Sequence, residues 1–307
     1  IIGLKALGVG PGDKVVTCPN TFVATVGAIV AVGATPMFVD AGPDYLIDME
    51  AVAREMSYTP FKVIIPVDLT GRPVVHRFRE LAASVVRPFI LRDACQSIGA
   101  TYNGSPSARM SDITAYSLHP LKNVHGCGDG GMIVTDNDVW ADWVRLYRNH
   151  GLCDRDTVVI PGINSRLDTL QAIAAWHMLQ DLKNITRRRN QNARQYQEGL
   201  QAIEEVTLPP LNPPGTSVGQ VYHTFVVQVE RRTELINFLA QEGVEAKIHY
   251  RVPVHLQPGY RYLGYKRGDF PNVERQADRI LSLPIHEFLT EGQIDHVIEA
   301  IARFYHR

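Results

Sequence analysis

FILRDACQSIGA at residues 89–100 and SDITAYSLHPLKNVHGCGDGGMIVTD at residues 111–136 are the two stretches on which the reading of this chain turns. The first is an apolar run that ends on Arg92 and Asp93. The second enters a glycine-rich turn from one strand-like run, SDITAYSL, and leaves it through another, GMIVTD. Upstream, β-rich apolar runs alternate with helical ones: VVT (15–17), TFVATVGAIVAV (21–32), PMFVD (36–40), DMEAVAREM (48–56), KVIIPV (62–67) and HRFRELAASV (76–85). That rotation predicts an α/β domain built on a mostly parallel sheet, with helices on both faces. Asn20 or Thr21 offers an N-cap for the first full helix, and Gly33 offers its stop.

Downstream, helices take over: DVWADWVRLYRNH (138–150), SRLDTLQAIAAWHMLQDL (165–182) and a polar helix through Arg187 to Leu200. Pro and Gly then cluster in LPPLNPPGTSVG (208–219), and VYHTFVVQV (221–229) reads as the clearest strand beyond it. We therefore expect a large domain over 1–205 and a smaller α+β C-terminal domain over 206–307. The opening IIGLKALGVGPGD reads as the end of an amphipathic helix with its Gly stop, so a further segment is expected upstream.

Composition removes several classes. Of 307 residues, 45% are hydrophobic and 21% charged, which is globular rather than disordered. Thirty-one Lys and Arg balance 32 Asp and Glu. This leaves no net field for gripping a phosphate backbone and argues against a nucleic-acid partner. The uncharged stretch between Lys14 and Asp40 is split by Pro19, Asn20, Gly33 and Pro36 into pieces too short to span a bilayer. Cys18, Cys95, Cys127 and Cys153 have neither zinc nor disulfide spacing, and a reducing, cytoplasmic setting is expected.

Asp93 falls at the C-terminal end of a strand, where open α/β sheets bind their ligands. Alone it reads equally as a helix cap or a surface turn. Ser117 and Lys122 follow the next strand, and with the glycine turn they could face the same crevice. A carboxylate for a ring nitrogen, a hydroxyl for a phosphate and an amine for a Schiff base together suit a pyridine cofactor. Gly126, Gly128 and Gly131 also match GxGxxG, but the dinucleotide fingerprint needs a helix after it, and here the strand-like MIVTD follows. A nicotinamide dehydrogenase is disfavoured on that ground. Cys95 reads as a small buried residue, Trp176 and Met178 as helix packing, and Arg187 to Arg189 as a solvated or subunit face. His249 and Tyr250 read as core or interface.

An ordered series of motifs resembles the DegT/DnrJ/EryC1/StrS aminotransferases, pyridoxal-phosphate enzymes of fold type I that mostly aminate nucleotide-linked keto-sugars. The series runs through GVGPGDKVVT, PVDLTGRP, RDACQSIGATYNG, YSLHPLKN, GDGGMIVTD, RNHG, GINSRLDTLQA, HYRVPVHLQPGY and GDFPNVERQADRILSLPIH. The resemblance implies that Lys122 is the Schiff-base lysine and Asp93 the partner of the pyridinium nitrogen. It makes Gln96 a contact to the cofactor's phenolic oxygen, Ser117 a phosphate ligand and Phe22 the aromatic stacked on the ring. Asn164 would reach the phosphate in a neighbouring subunit, making the working unit a homodimer with shared sites. The segment that holds His249 and Tyr250 would approach the active site. The chain departs from the family pattern at Arg92, where an acidic residue is usual, at Leu118, where Phe is common, and at Asp68, where His is frequent.

The resemblance implies an amino-group transfer from glutamate or glutamine to a keto-sugar, with a cyclitol ketone as the second acceptor. A sugar dehydratase of the same fold would carry His in place of Lys122. A non-catalytic binding protein would have no need of Lys122, Asp93 and Gln96 together.

Overall fold

The computed structural model describes residues 1–75, 87–210, 212 and 215–306. The helical expectation over 76–85 lies outside the described residues. In chain order the elements are α1 (Ile2–Ala6), β1 (Lys14–Thr17), α2 (Val23–Ala31), β2 (Thr35–Phe38), α3 (Met49–Met56), β3 (Val63–Ile65), β4 (Phe89–Asp93), β5 (Thr101–Tyr102), β6 (Ser105–Pro106), β7 (Ile113–Ser117) and β8 (Gly131–Val134). There follow α4 (Asp138–Tyr147), α5 (Thr169–Gln180), α6 (Leu182–Leu200), β9 (Val206–Thr207), β10 (Val218–Gly219), β11 (Phe225–Val229), α7 (Arg232–Gln241), α8 (Pro271–Arg279), β12 (Ile280–Leu283) and α9 (Glu291–Tyr305).

Six strands form the central sheet in the order β2-β1-β3-β4-β7-β8. All neighbours pair parallel except β7 with β8, so the sheet is mostly parallel with one antiparallel edge. The α/β expectation holds. The antiparallel edge joins β7 to β8 through residues 118–130, a glycine-rich turn that carries no crossover helix. Val15, Val16, Val63, Ile64 and Ile113 are fully buried, as strands covered on both faces require. Each such side chain contributes roughly 1.5–3 kcal/mol of hydrophobic burial.

Two local expectations need correction. The residue flanking α2 is Phe22, with no side-chain cap; Asn20 instead donates to the Tyr45 carbonyl (3.4 Å), and Thr21 pairs with Thr25 (2.7 Å). Gly33 does end that helix, at φ +82°. The strand read over 221–229 begins only at Phe225, because Tyr222 takes a positive φ of 44° and breaks the extended run.

A second, antiparallel sheet, β12-β11-β9, carries the C-terminal residues. Ala193, Tyr196 and Leu200 of α6 join its core with Phe225, Leu235, Leu281 and Ile301. On α5, Ala175 is buried and Met178 packs beside it, but Leu170 (77%), Ile173 (60%) and Trp176 (67%) stand exposed. Packing thus holds for Met178 and fails for Trp176, which lies on the outer face of its helix.

The two departures at Asp68 and Arg92 meet each other. Both side chains are 0% exposed, and Arg92 Nη1 donates to Asp68 Oδ1 at 2.5 Å. Ser97 Oγ (2.7 Å) and the Val74 amide (2.9 Å) also donate to that carboxylate. A buried charge of either sign would be costly alone, so the pair is what makes each residue tolerable.

Candidate active site

Asp93 is the last residue of β4, and its backbone is fixed on both sides: its amide donates to the Pro66 carbonyl (2.9 Å) and its carbonyl accepts from the Asp68 amide (3.0 Å). Its carboxylate accepts from Thr25 Oγ1 (2.6 Å), on α2, and from the Cys95 amide (3.2 Å). Two donors from different elements therefore set its direction.

Lys122 lies in the turn after β7, half-buried, with Asp93 and Cys95 as its nearest acidic groups. Burial lowers its amine below the usual lysine range, opposed by those two neighbours, because desolvation penalises the charged form. Its hydrogen-bond partner is His223 Nε2, at 3.5 Å. Burial pushes the Cys95 thiol up, and Asp93 adds to the shift, so Cys95 is a neutral thiol rather than a nucleophile.

Gln96 accepts from the Thr70 amide (2.8 Å) and donates to the Tyr250 hydroxyl (3.4 Å). The Tyr250 ring lies 5.8 Å from that of Phe22, which is 56% exposed at the start of α2. Tyr250 is pushed up to about 12 by burial first and by Asp93 next, so it stays a neutral donor and acceptor. Ser117 ends β7 and accepts from the His119 amide (3.2 Å). The structure thus places Asp93 close enough for its charge to act on Lys122, and joins Gln96 to Phe22 through Tyr250, with Ser117 at the end of the strand that leads into the Lys122 turn. Asn164 stands apart: it is exposed, bridges to Asn149 and accepts from the Arg166 amide at 3.4 Å.

The glycine turn has a different purpose from the fingerprint it mimics. A Cβ on Gly126 would meet Gln171 Oε1 at 2.6 Å, and one on Gly130 would meet Leu167 Cδ1 at 2.8 Å. These glycines admit the start of α5 against the Lys122 loop, and β8 rather than a helix follows them.

Several residues of the site are not singled out by the sequence. Thr25 and His223 sit in runs that read as plain helix and strand, and Asn123 closes the YSLHPLKN motif with no role assigned to it. Tyr250, which the sequence leaves as core, interface or site, is at the site. The basic run on α6 needs correction: Arg187 and Arg188 are exposed, but Arg189 is buried, pairs with Glu287 (2.8 Å) and donates to the carbonyls of Tyr222 (3.1 Å) and His223 (3.3 Å). The i,i+4 pattern of α6 holds the only signal for it. Among the described residues there is no acidic, His or Cys cluster that could hold a metal, and no helix long and apolar enough to cross a membrane.

A cavity of about 680 Å³ opens beside His223, lined by Leu121, Lys247, His249 and Ser282 among others. His249 bonds Ser282 (2.9 Å), and burial, then Lys247 and Lys122, lowers its pKa.

The profile of the DegT/DnrJ/EryC1/StrS aminotransferase family matches residues 1–302. The chain is 38% identical to the "Pleiotropic regulatory protein" of Geobacillus stearothermophilus, over 99% of its own length and 82% of that protein's. It is 35% identical to the "dTDP-3-amino-3,4,6-trideoxy-alpha-D-glucose transaminase" of Streptomyces venezuelae, over 100% of its own length and 80% of that protein's. In structure it superposes on ntda from Bacillus subtilis, solved with bound cofactor pmp, with a TM-score of 0.89 at 29% identity, covering 100% of this chain and 71% of that one. The chain belongs to the DegT/DnrJ/EryC1/StrS aminotransferase family. It is a pyridoxal-phosphate-dependent aminotransferase of fold type I.

The residues present fit that cofactor. A carboxylate oriented by two donors, a desolvated amine within reach of its charge and an exposed aromatic ring at a helix start make up the set such a cofactor needs.

Proposed function

We propose that this enzyme moves an amino group from glutamate or glutamine to a keto-sugar, one carried on a nucleotide. The observation that carries the proposal is the grouping of Gln96, Phe22 and Asp93 around Tyr250 and of Lys122 against His223, which itself lines a cavity of about 680 Å³. The Streptomyces relative is named for a dTDP-linked amino sugar, which supports the acceptor class.

When bound, the cofactor supplies an electron sink for the carbon that loses its proton. Asp93 holds a proton at the ring nitrogen, and Thr25 keeps the carboxylate aimed there. Lys122 is both anchor and general acid/base: desolvation leaves a useful fraction as free amine, which takes a proton from carbon on one side and returns it on the other. Phe22 stacks on the ring, Gln96 donates to the phenolic oxygen, and Ser117 binds the phosphate.

Asn164 completes the phosphate site of a second subunit, and the working unit is a homodimer. The exposed Leu170, Ile173 and Trp176 on α5, next to the loop that carries Asn164, support that assembly. The same reading keeps a cofactor-binding domain over 1–205 and a small domain over 206–307. Four free thiols suit a reducing, cytoplasmic setting.

The test is a screen of keto-sugar nucleotides, free keto-sugars and cyclitol ketones against glutamate and glutamine. Transfer to a nucleotide-linked ketone is expected. Transfer to a cyclitol alone, or to none of them by a holoenzyme that still consumes donor, refutes the acceptor class.

A further inference from the structure

We propose that His223 is a positioning residue for Lys122: Asn123 holds its ring with the proton on Nδ1, so a bare Nε2 accepts a hydrogen bond from the Lys122 amine and fixes where its lone pair points. The inference rests on the reading of Lys122 as the reactive amine.

The tautomer follows from donors and acceptors. Asn123 Nδ2 donates to the Val221 carbonyl at 3.0 Å. The opposite placement of the amide would set two acceptors face to face. Asn123 Oδ1 is then the atom 3.2 Å from His223 Nδ1, and a carbonyl oxygen only accepts. Nδ1 therefore carries the hydrogen. A neutral imidazole has one, which leaves Nε2, 3.5 Å from Lys122 Nζ, as an acceptor.

The ring is neutral for reasons that come from every side. Burial opposes its charge most strongly, followed by Lys122, Arg189, His249 and His119. Facing Lys122 across the cleft are Asp93 and the neutral thiol of Cys95. His223 thus takes no proton from Lys122. It occupies one donor direction of the amine, with or without the extra proton.

The ring's backbone is held as firmly as its side chain. Arg189, braced by Glu287, donates to the carbonyls at 222 and 223, and the Val221 amide donates to the Gly71 carbonyl (3.0 Å). Gly71 stands at φ +92°, where an added Cβ would lie 2.8 Å from the His223 amide nitrogen. Three elements distant in sequence therefore place one imidazole nitrogen against one lysine.

The direct test reads the tautomer itself. In the full chain carrying 15N-labelled histidine, with and without cofactor, long-range proton–nitrogen spectra report each ring's tautomer, and His223→Gln identifies the signal. His223 should show its proton on Nδ1 from about pH 6 to about pH 9. A proton on Nε2, or a ring that titrates in that range, overturns the proposal.

A second readout follows the amine. Competitive acetylation of the cofactor-free chain with peptide mass mapping gives the titration of Lys122. His223→Leu removes an acceptor that favours the ammonium form, so the Lys122 midpoint should fall by about one pH unit. Turnover of the holoenzyme should fall roughly ten-fold. His223→Gln keeps an acceptor and should restore turnover to within about a factor of three. Equal midpoints in the wild type and the Leu variant overturn the role. Borohydride reduction of the holoenzyme separates the two failures: cofactor trapped on another lysine refutes the reading of Lys122, whereas cofactor on Lys122 with an unmoved midpoint refutes only His223.

Discussion

The buried pair Asp68–Arg92 should behave as one unit in a mutant cycle. Arg92→Glu places a second carboxylate against Asp68 in a site with no solvent, and Asp68→His places an imidazole against the guanidinium. Removing one partner of a buried ion pair costs about 3–5 kcal/mol, and each of these singles also introduces repulsion or loses an acceptor. Two such losses taken separately amount to roughly 8 kcal/mol, comparable with the whole stability of an ordinary domain.

Combined, Arg92→Glu and Asp68→His restore a donor–acceptor pair in the polarity more usual for the family. The introduced imidazole would donate from one nitrogen to the introduced carboxylate. Its other nitrogen would stay an acceptor for Ser97 or the Val74 amide, which now bond Asp68. The double variant should lose only about 2–3 kcal/mol, a coupling of roughly 5 kcal/mol. Urea unfolding of the cofactor-free chains measures each corner. Single losses that add in the double variant to within about 0.5 kcal/mol would refute the pairing argument. Because the backbone of Asp93 bonds Pro66 and Asp68, each single variant should also lose activity that the double regains.

Asp93→Asn should lower kcat by roughly a hundred-fold or more with little change in donor affinity, and Thr25→Val should cost roughly ten-fold by releasing the carboxylate; near-normal turnover of the Asn variant would contradict the role of Asp93. Mixing Asn164→Ala chains with Lys122→Ala chains should regenerate one intact site per heterodimer, and proven heterodimers without activity would count against a shared site. For Lys122 the sign is set by its lowered pKa: between its folded and unfolded values the unfolded chain binds more protons, so stability rises with pH there. The advantage of the cofactor-free wild type over Lys122→Met should therefore grow from neutral pH toward about pH 10 in urea midpoints, and a constant difference would show that burial does not perturb this amine.

Much of the large sheet was legible because strands covered on both faces print as short apolar runs, and because Asp93, Ser117 and Lys122 sit at strand ends where chemistry is expected. The antiparallel edge and the cap of α2 were less so. Alternation does not reveal direction, and Thr25 looks like an ordinary helix residue although its hydroxyl is spent on Asp93. His223 was hidden more thoroughly: it lies 101 residues from Lys122 in a run that reads as strand, and only the positive φ at Tyr222 and the reach of Arg189 turn it inward. Departures from a motif were likewise uninterpretable singly. Asp68 and Arg92 make sense only when a parallel pairing brings their strands together.

Gly71 gives the site a different kind of vulnerability. A side chain there would collide with the amide nitrogens of Tyr222 and His223 and, at 3.0 Å, with the carbonyl of Gln96, so it acts as the clearance that lets the loops holding those residues close on one another. In a saturation scan this unreactive residue should tolerate fewer replacements than Ser117 or Gln96. A ranking of positions by what their side chains can do would place it last, although its lack of a side chain is what lets the loops close.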